Sequence, residues 1–295
     1  MIPATLYDLT VRAALAAPGS GYGEPGNGVQ LPLDISTEGW RIDAMLNFAL
    51  IATGILFLVM ATWMVIAVVF HRDGKHKATY THGTSRKAAI GGLVIGFGIF
   101  LFVDGVLFYN STVDLREALW NHDRAKVPGA VRIELNARQW AWQARYAGPD
   151  GLFTTADDIV TLNDIRVPVD TPVAIQLTSS DVIHALYIPN LRVKIDAVPG
   201  TVSPVWFEVD KERLAQARSN LFEIACAQHC GTHHYKMRGR LTVYSKEEFA
   251  NWLAEASINS ALDYDAGPTP DQQGEPEKQA DSKYLAHWGW KWREI

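Results

Sequence analysis

The chain has 295 residues, a mean hydropathy close to zero and a formal net charge of -5. That charge excludes a general nucleic-acid binder, which needs a basic surface to displace counterions from phosphates. A count of two cysteines excludes a disulfide-rich scaffold.

The near-zero average conceals two long apolar runs in the first third. Residues 1–44 precede the first of them and hold a Gly/Pro-rich turn region at 18–28. The first run, 45–70, has no charged residue, and at 1.5 Å per residue it is ample for a bilayer core. The second, 88–109, is richer in glycine: Gly91, Gly92, Gly96 and Gly98 suit close approach of another helix, and Asp104 interrupts it near its end. The expectation is a two-helix transmembrane hairpin over 45–109. Its connecting loop, 71–87, carries Arg72, Lys75, Lys77, Arg86 and Lys87 against Asp73, which assigns the loop to the cytoplasm and both flanking segments to the outer side. In a bacterium this is a multi-pass protein of the inner membrane with a periplasmic domain. Residues 1–109 carry seven acidic and seven basic side chains, so the whole excess of negative charge belongs to 110–295.

Residues 110–126 read as a linker with a short helix. From 127 the texture changes to short alternating or β-branched runs, at 131–146, 165–170, 173–179, 191–200, 203–210, 221–225 and 239–244. Many short strands without long helices between them predict a β-sandwich or barrel over 127–245, not a βαβ domain. The stretch 148–158, GPDGLFTTADD, reads as a solvated hairpin, with a hard-cation site as the alternative. A helix over 246–258, a polar segment over 268–280 and a tryptophan-rich tail at 287–295 complete the chain. Such a tail is expected to dock on a partner subunit or at the membrane interface.

The strongest local signal is CAQHCGTHHYKM at 226–237. Two thiolates (Cys226, Cys230), an imidazole (His234) and a thioether (Met237) are soft to borderline donors that favour copper over magnesium or calcium. Zinc gains little from a thioether. Two cysteines permit two bridging sulfurs and hence two coppers, each needing one histidine and one weak ligand. A second histidine must then arrive from elsewhere, and His184, in DVIHALYIPN, is the candidate: it follows a strand-like run, where a turn can bring it to the same rim as a later loop. The weak ligands are the Met237 sulfur and the Gln228 main-chain carbonyl. His233 is the rival of His234, and His229 is expected to point outward. A disulfide between Cys226 and Cys230 is the plain alternative, which leaves His184 and Met237 without a role.

These segments, with QWAWQ at 139–143, DVIHALYIPNLRVKIDAVPG at 181–200 and CAQHCGTHHYKMRGRLTV at 226–243, closely resemble subunit II of the haem-copper cytochrome c oxidases, in a divergent bacterial branch. The resemblance implies a cupredoxin-like Greek-key sandwich held over the membrane. It implies a mixed-valence dicopper centre on His184, Cys226, Gln228 (carbonyl), Cys230, His234 and Met237. Trp140 then stands where an aromatic receives electrons from cytochrome c, and Asp181 near the docking face. The implied task is to take single electrons from cytochrome c or another haem donor and pass them to haem in subunit I, the partner that carries the haems and a third copper. There oxygen becomes water and protons are pumped, so this polypeptide is an electron-transfer subunit and not the site of oxygen reduction. Partners are subunit I, the other oxidase subunits and membrane lipid. Many relatives carry glutamate where this chain has Gln228, which leaves magnesium at the subunit interface without that carboxylate. The same electron-accepting role in a copper-dependent nitric oxide reductase, or copper delivery by a membrane-anchored carrier, are the alternative functions.

Overall fold

The computed structural model describes residues 31–265 except 73, 75–79, 81, 154 and 156, with the side chains of 259–265 also left aside. The turn region at 18–28, part of the basic loop, the polar segment and the tryptophan-rich tail lie outside the described residues. Of these, 41–120 form one compact unit, and 31–40 with 121–265 form another.

The first unit is helical. Helix α1 (Gly39–His71) begins six residues before the expected span, because the polar first turn continues the helix without a breaker. The second helix runs as α2 (Arg86–Ile99), a π-helical turn over Phe100–Asp104, α3 (Gly105–Asp114) and a second π turn over Leu115–Leu119. It therefore takes in most of the stretch read from sequence as a linker. Ser85 caps α2 by accepting from the Ala88 N–H at 3.2 Å. Both helices are long and apolar enough to cross a membrane, and their apolar windows are wholly unburied within the chain, as lipid- or partner-facing surface requires. Arg41 Nη1 meets Asp114 Oδ1 at 2.8 Å, pairing one charge from each of the two helices.

The second unit is a sandwich of two five-stranded sheets. One has the order β3-β2-β1-β5-β8: β1 Val131–Arg138, β2 Ala141–Tyr146, β3 Ile159–Leu162, β5 Val173–Ser179 and β8 Ser203–Phe207. The other has the order β4-β10-β9-β6-β7: β4 Asp164–Pro168, β6 His184–Ile188, β7 Val193–Ala197, β9 Leu221–Cys226 and β10 Arg238–Tyr244. Strands β1 and β5 pair in parallel, as do β4 and β10, which the long Greek-key connections allow. Alternation along the strands fills the space between the sheets: Ile133 and Leu135 from β1, Trp142 and Tyr146 from β2, Ile175 and Leu177 from β5, Leu186 and Ile188 from β6, Phe222 and Ile224 from β9. This is the cupredoxin-like sandwich predicted from the strand spacing and the resemblance. A short helix α4 (Lys211–Leu214) and the C-terminal helix α5 (Lys246–Asp265) follow the later strands, and Trp252 of α5 packs edge-on against Tyr146 at 5.2 Å.

Two features were not anticipated. Residues 33–37, inside the expected N-terminal extension, are stitched into the sandwich. Ile35 N–H donates to Asn190 O at 2.9 Å, Asp210 N–H donates to Ile35 O at 2.8 Å, and Arg213 Nη1 meets Asp34 Oδ2 at 2.7 Å. Ile35 is fully buried within the main core. Truncating it leaves a cavity in a close-packed interior, so Ile35→Ala is expected to lower the unfolding free energy of the β-unit by about 2–5 kcal/mol. Denaturant unfolding followed by tryptophan near-ultraviolet dichroism measures this, and an unchanged midpoint would remove the segment from the cooperative unit.

The second feature is a buried charge cluster on the face of the first sheet that points away from the other. Glu134 and Arg145 are cross-strand partners on β1 and β2, with Arg145 Nη1 3.2 Å from Glu134 Oε2 and Nε 3.6 Å from Asp158 Oδ2. All three are essentially inaccessible. Residues 148–158 do connect antiparallel strands β2 and β3, as a hairpin should, but their last acid is buried against Arg145 instead of solvated.

Candidate metal centre

The fold delivers the candidate ligands from the second sheet alone. His184 is the first residue of β6, directly after the 180–183 connection from β5, and its strand pairs with β7 from His184 onward. Cys226 is the last residue of β9, where β6 and β9 pair through Leu186 and Cys226. Met237 immediately precedes β10, and the Cys226 N–H donates to Met237 O at 3.1 Å, closing 227–236 into a loop. Within that loop His234 opens a 3-10 turn held by its N–H to Gly231 O at 3.1 Å.

The donor atoms converge. Cys226 Sγ and Cys230 Sγ are 3.8 Å apart, and His184 Nδ1 lies 3.9 Å from Cys226 Sγ and 3.1 Å from Met237 Sδ. Cys230 Sγ lies 3.5 Å from His234 Nδ1 and 3.8 Å from Met237 Sδ, while Gln228 O lies 3.2 Å from Cys226 Sγ. The ligand atoms of His184, Cys226 and Cys230 all fall within 4.8 Å of one another. His184, Cys230 and Met237 are buried, Cys226 and His234 partly so. Both cysteines are free thiols, separated by far more than a disulfide bond. His233 instead sets its ring edge-on to Trp140 at 4.5 Å, and His229 is exposed, 5.7 Å from the His234 ring.

A convergence of two thiols, two imidazole nitrogens and a thioether in a largely dry rim fits soft metal ions and fits copper well. The electrostatics agree. Burial works to raise the Cys226 pKa, but hydrogen bonds from His184, from backbone at Ala185 and Gln228, and from His234 hold it below the usual thiol range. Burial and the neighbouring Cys226 charge push Cys230 up, so without a cation the pair holds a single thiolate. A metal relieves that repulsion by neutralising both sulfurs.

The ring orientation of His184 is set from behind. Its Nε2 lies 2.8 Å from Asp181 Oδ1, an arrangement in which Nε2–H donates and Nδ1, which faces Cys226 in the metal-free site, would bind a metal once free of its proton. Burial opposes protonation of His184, yet Cys226 and Asp181 raise its pKa. Asp181 is held below the ordinary carboxylate range: burial opposes this, and the Gln139 N–H and the His184 ring outweigh it. Its other oxygen accepts from the Gln139 N–H at 2.6 Å. Gln139 was not singled out in the sequence. Its only signal there is adjacency to Trp140, which sits half-buried in the β1–β2 turn beside the ligand loop.

Residues 132–242 match the family described as cytochrome C oxidase subunit II, periplasmic domain. Over 253 residues the chain is 28% identical to the alternative cytochrome c oxidase subunit 2 of Bradyrhizobium diazoefficiens, covering 77% of this chain and 84% of that protein. Over 154 residues it is 32% identical to the heme-copper oxidase subunit 2 of Aeropyrum pernix, covering 51% of this chain and 60% of that one. The crystal structure of the periplasmic domain of cytochrome oxidase subunit II from Bradyrhizobium japonicum is similar at 30% identity, with 46% of this chain and 99% of that one covered and a TM-score of 0.38. Residues 132–242 therefore carry the periplasmic domain of the cytochrome c oxidase subunit II family, behind two apolar helices, in a chain similar along most of its length to a subunit 2 protein.

Proposed function

We propose that this chain is the electron-accepting subunit of a membrane-bound haem-copper oxidase, with a binuclear copper centre on Cys226, Cys230, His184, His234, Met237 and the Gln228 carbonyl. The observation that carries the reading is the convergence of both sulfurs with two histidine nitrogens and the Met237 sulfur. When bound, the two coppers would supply a one-electron acceptor whose charge is shared across both thiolates.

The chain's own residues supply rigidity. Strands β6 and β9 fix His184 and Cys226 by main-chain pairing, and burial removes water that would otherwise reorganise on each electron transfer. His184 and Met237 lie side by side and would share one metal; His234 and the Gln228 carbonyl would serve the other. Trp140, against His233 of the ligand loop, would receive electrons from cytochrome c, and the acid excess of residues 110–295 suits a basic donor. Subunit I is the proposed recipient, for reduction of oxygen to water with proton pumping.

Electron paramagnetic resonance with copper quantitation on the full-length, copper-loaded protein tests the centre. Two coppers per chain and a shared hyperfine pattern of about seven lines are expected. A single localised copper signal at full loading overturns the binuclear assignment.

A further inference from the structure

Every proposed ligand comes from the second sheet or its loops, yet one residue of the first sheet reaches two of them at once. Gln139 sits in the turn between β1 and β2. Its side-chain Nε2 donates to the main-chain carbonyl of Cys230 at 2.7 Å, and its own N–H donates to Asp181 Oδ2 at 2.6 Å. Asp181 in turn holds His184 through Oδ1. We infer that Gln139 is a positioning residue of the metal centre, holding the Cys230 thiolate through that residue's peptide and the His184 imidazole through Asp181.

The surroundings are shaped for the contact. Gly231 has a φ of +123°, and a Cβ there would come within 2.8 Å of the Gln139 Nε2 and 3.4 Å of the Trp140 ring. The ligand loop thus lies flat against the Gln139–Trp140 edge, and glycine is what permits the approach. His233 closes the same edge from the other side by its contact with Trp140. A hydrogen bond to the Cys230 carbonyl fixes that peptide plane and therefore the direction of its Cα–Cβ bond. The sulfur at its end is the one within 3.8 Å of Cys226, His234 and Met237 together. Without the brace, the loop keeps the His233–Trp140 contact but loses the side-chain hydrogen bond that fixes the Cys230 peptide.

This inference rests on the binuclear reading, so the unmodified full-length protein is measured first; a mononuclear signal there counts against that reading and not against the brace. Gln139→Met keeps length and removes the donor, and Gln139→Glu keeps length and presents an acceptor to an acceptor. Gln139 is exposed, so neither is expected to unfold the domain, and Gln139→Ala provides a third variant with no side chain to misplace. Orienting partners of metal ligands typically contribute 10–100-fold in metal affinity. Copper transfer to a soluble chelator is expected to quicken 10–100-fold in each variant, with altered hyperfine splitting before transfer begins. A purely structural role would lower the unfolding midpoint of the metal-free protein and leave the loaded spectrum alone. Spectra identical to the parent and transfer rates within about twofold, in folded variants carrying two coppers, overturn the proposal.

Discussion

Cys230→Ser is expected to reduce the copper content of the full-length protein from two per chain to one or none, and to abolish the shared hyperfine pattern. Cys230 is buried and its sulfur has three of the other donors within 3.8 Å, more than any other residue of the cluster. Serine keeps the shape but offers a hard oxygen that is protonated at neutral pH and bridges soft metals poorly. Metal binding and electron acceptance should fall together, by more than about a hundredfold, since even residues one shell further out contribute 10–100-fold. The two consequences are read separately, by copper quantitation and by the rate of reduction with a cytochrome c donor. A variant that retains two coppers and the shared signal would refute the bridging role of this sulfur.

The largest expected effect on folding lies elsewhere. Arg145 stands between Glu134 and Asp158, with all three side chains sealed from water. Arg145→Met preserves bulk but leaves two carboxylates facing each other in a low-dielectric site, and removal of one partner from such a cluster typically costs about 3–5 kcal/mol. The cost should depend on pH. Burial is the main reason that the Glu134 pKa rises from 4.5 to about 7, with Arg145 lowering it and Asp158 raising it further. Between those values the native state holds a proton that the unfolded chain has released, so stability falls as pH rises through the window. Below 4.5 both states are protonated and the contribution of this group is flat. In the parent this slope amounts to at most roughly 3 kcal/mol across the window. In Arg145→Met the compensating cation is gone, so the fall should extend to higher pH. Urea unfolding at pH 5 and pH 8 measures both, and equal losses at the two values would show that the carboxylates are not what Arg145 holds in place.

What the sequence revealed and what it concealed divide along physical lines. The spans were legible because lipid demands long uncharged runs, a local property of the chain. The donor residues were legible because CAQHCGTHHYKM places four of them within twelve positions, and only His184 had to be sought at a distance. His184 was sought at the rim because it follows a strand-like run, after which a turn can carry it there; that it opens the next strand was not legible locally. Its pairing partner, Ala197, which makes it a strand residue, lies thirteen positions on. Glu134 and Arg145 alternate with core residues along β1 and β2, and alternation alone assigns such positions to solvent. What buries them is tertiary. Ile35 escaped notice although Leu31, Leu33 and Ile35 alternate with Pro32 and Asp34: the run is too short to read as a strand, and its partners, Asn190 and Asp210, are more than 150 positions away.

That short segment also bears on how the chain is threaded. Residues 33–37 precede the first apolar helix and the sandwich follows the second, yet the two are hydrogen-bonded parts of one folded unit. A lipid layer cannot pass between an N–H and the carbonyl that accepts from it, so both ends of the helical pair must emerge on the same face. The number of crossings between Thr37 and Asn121 is therefore even. A topology in which only one of the helices spans is ruled out by parity, without reference to the charges of the loop.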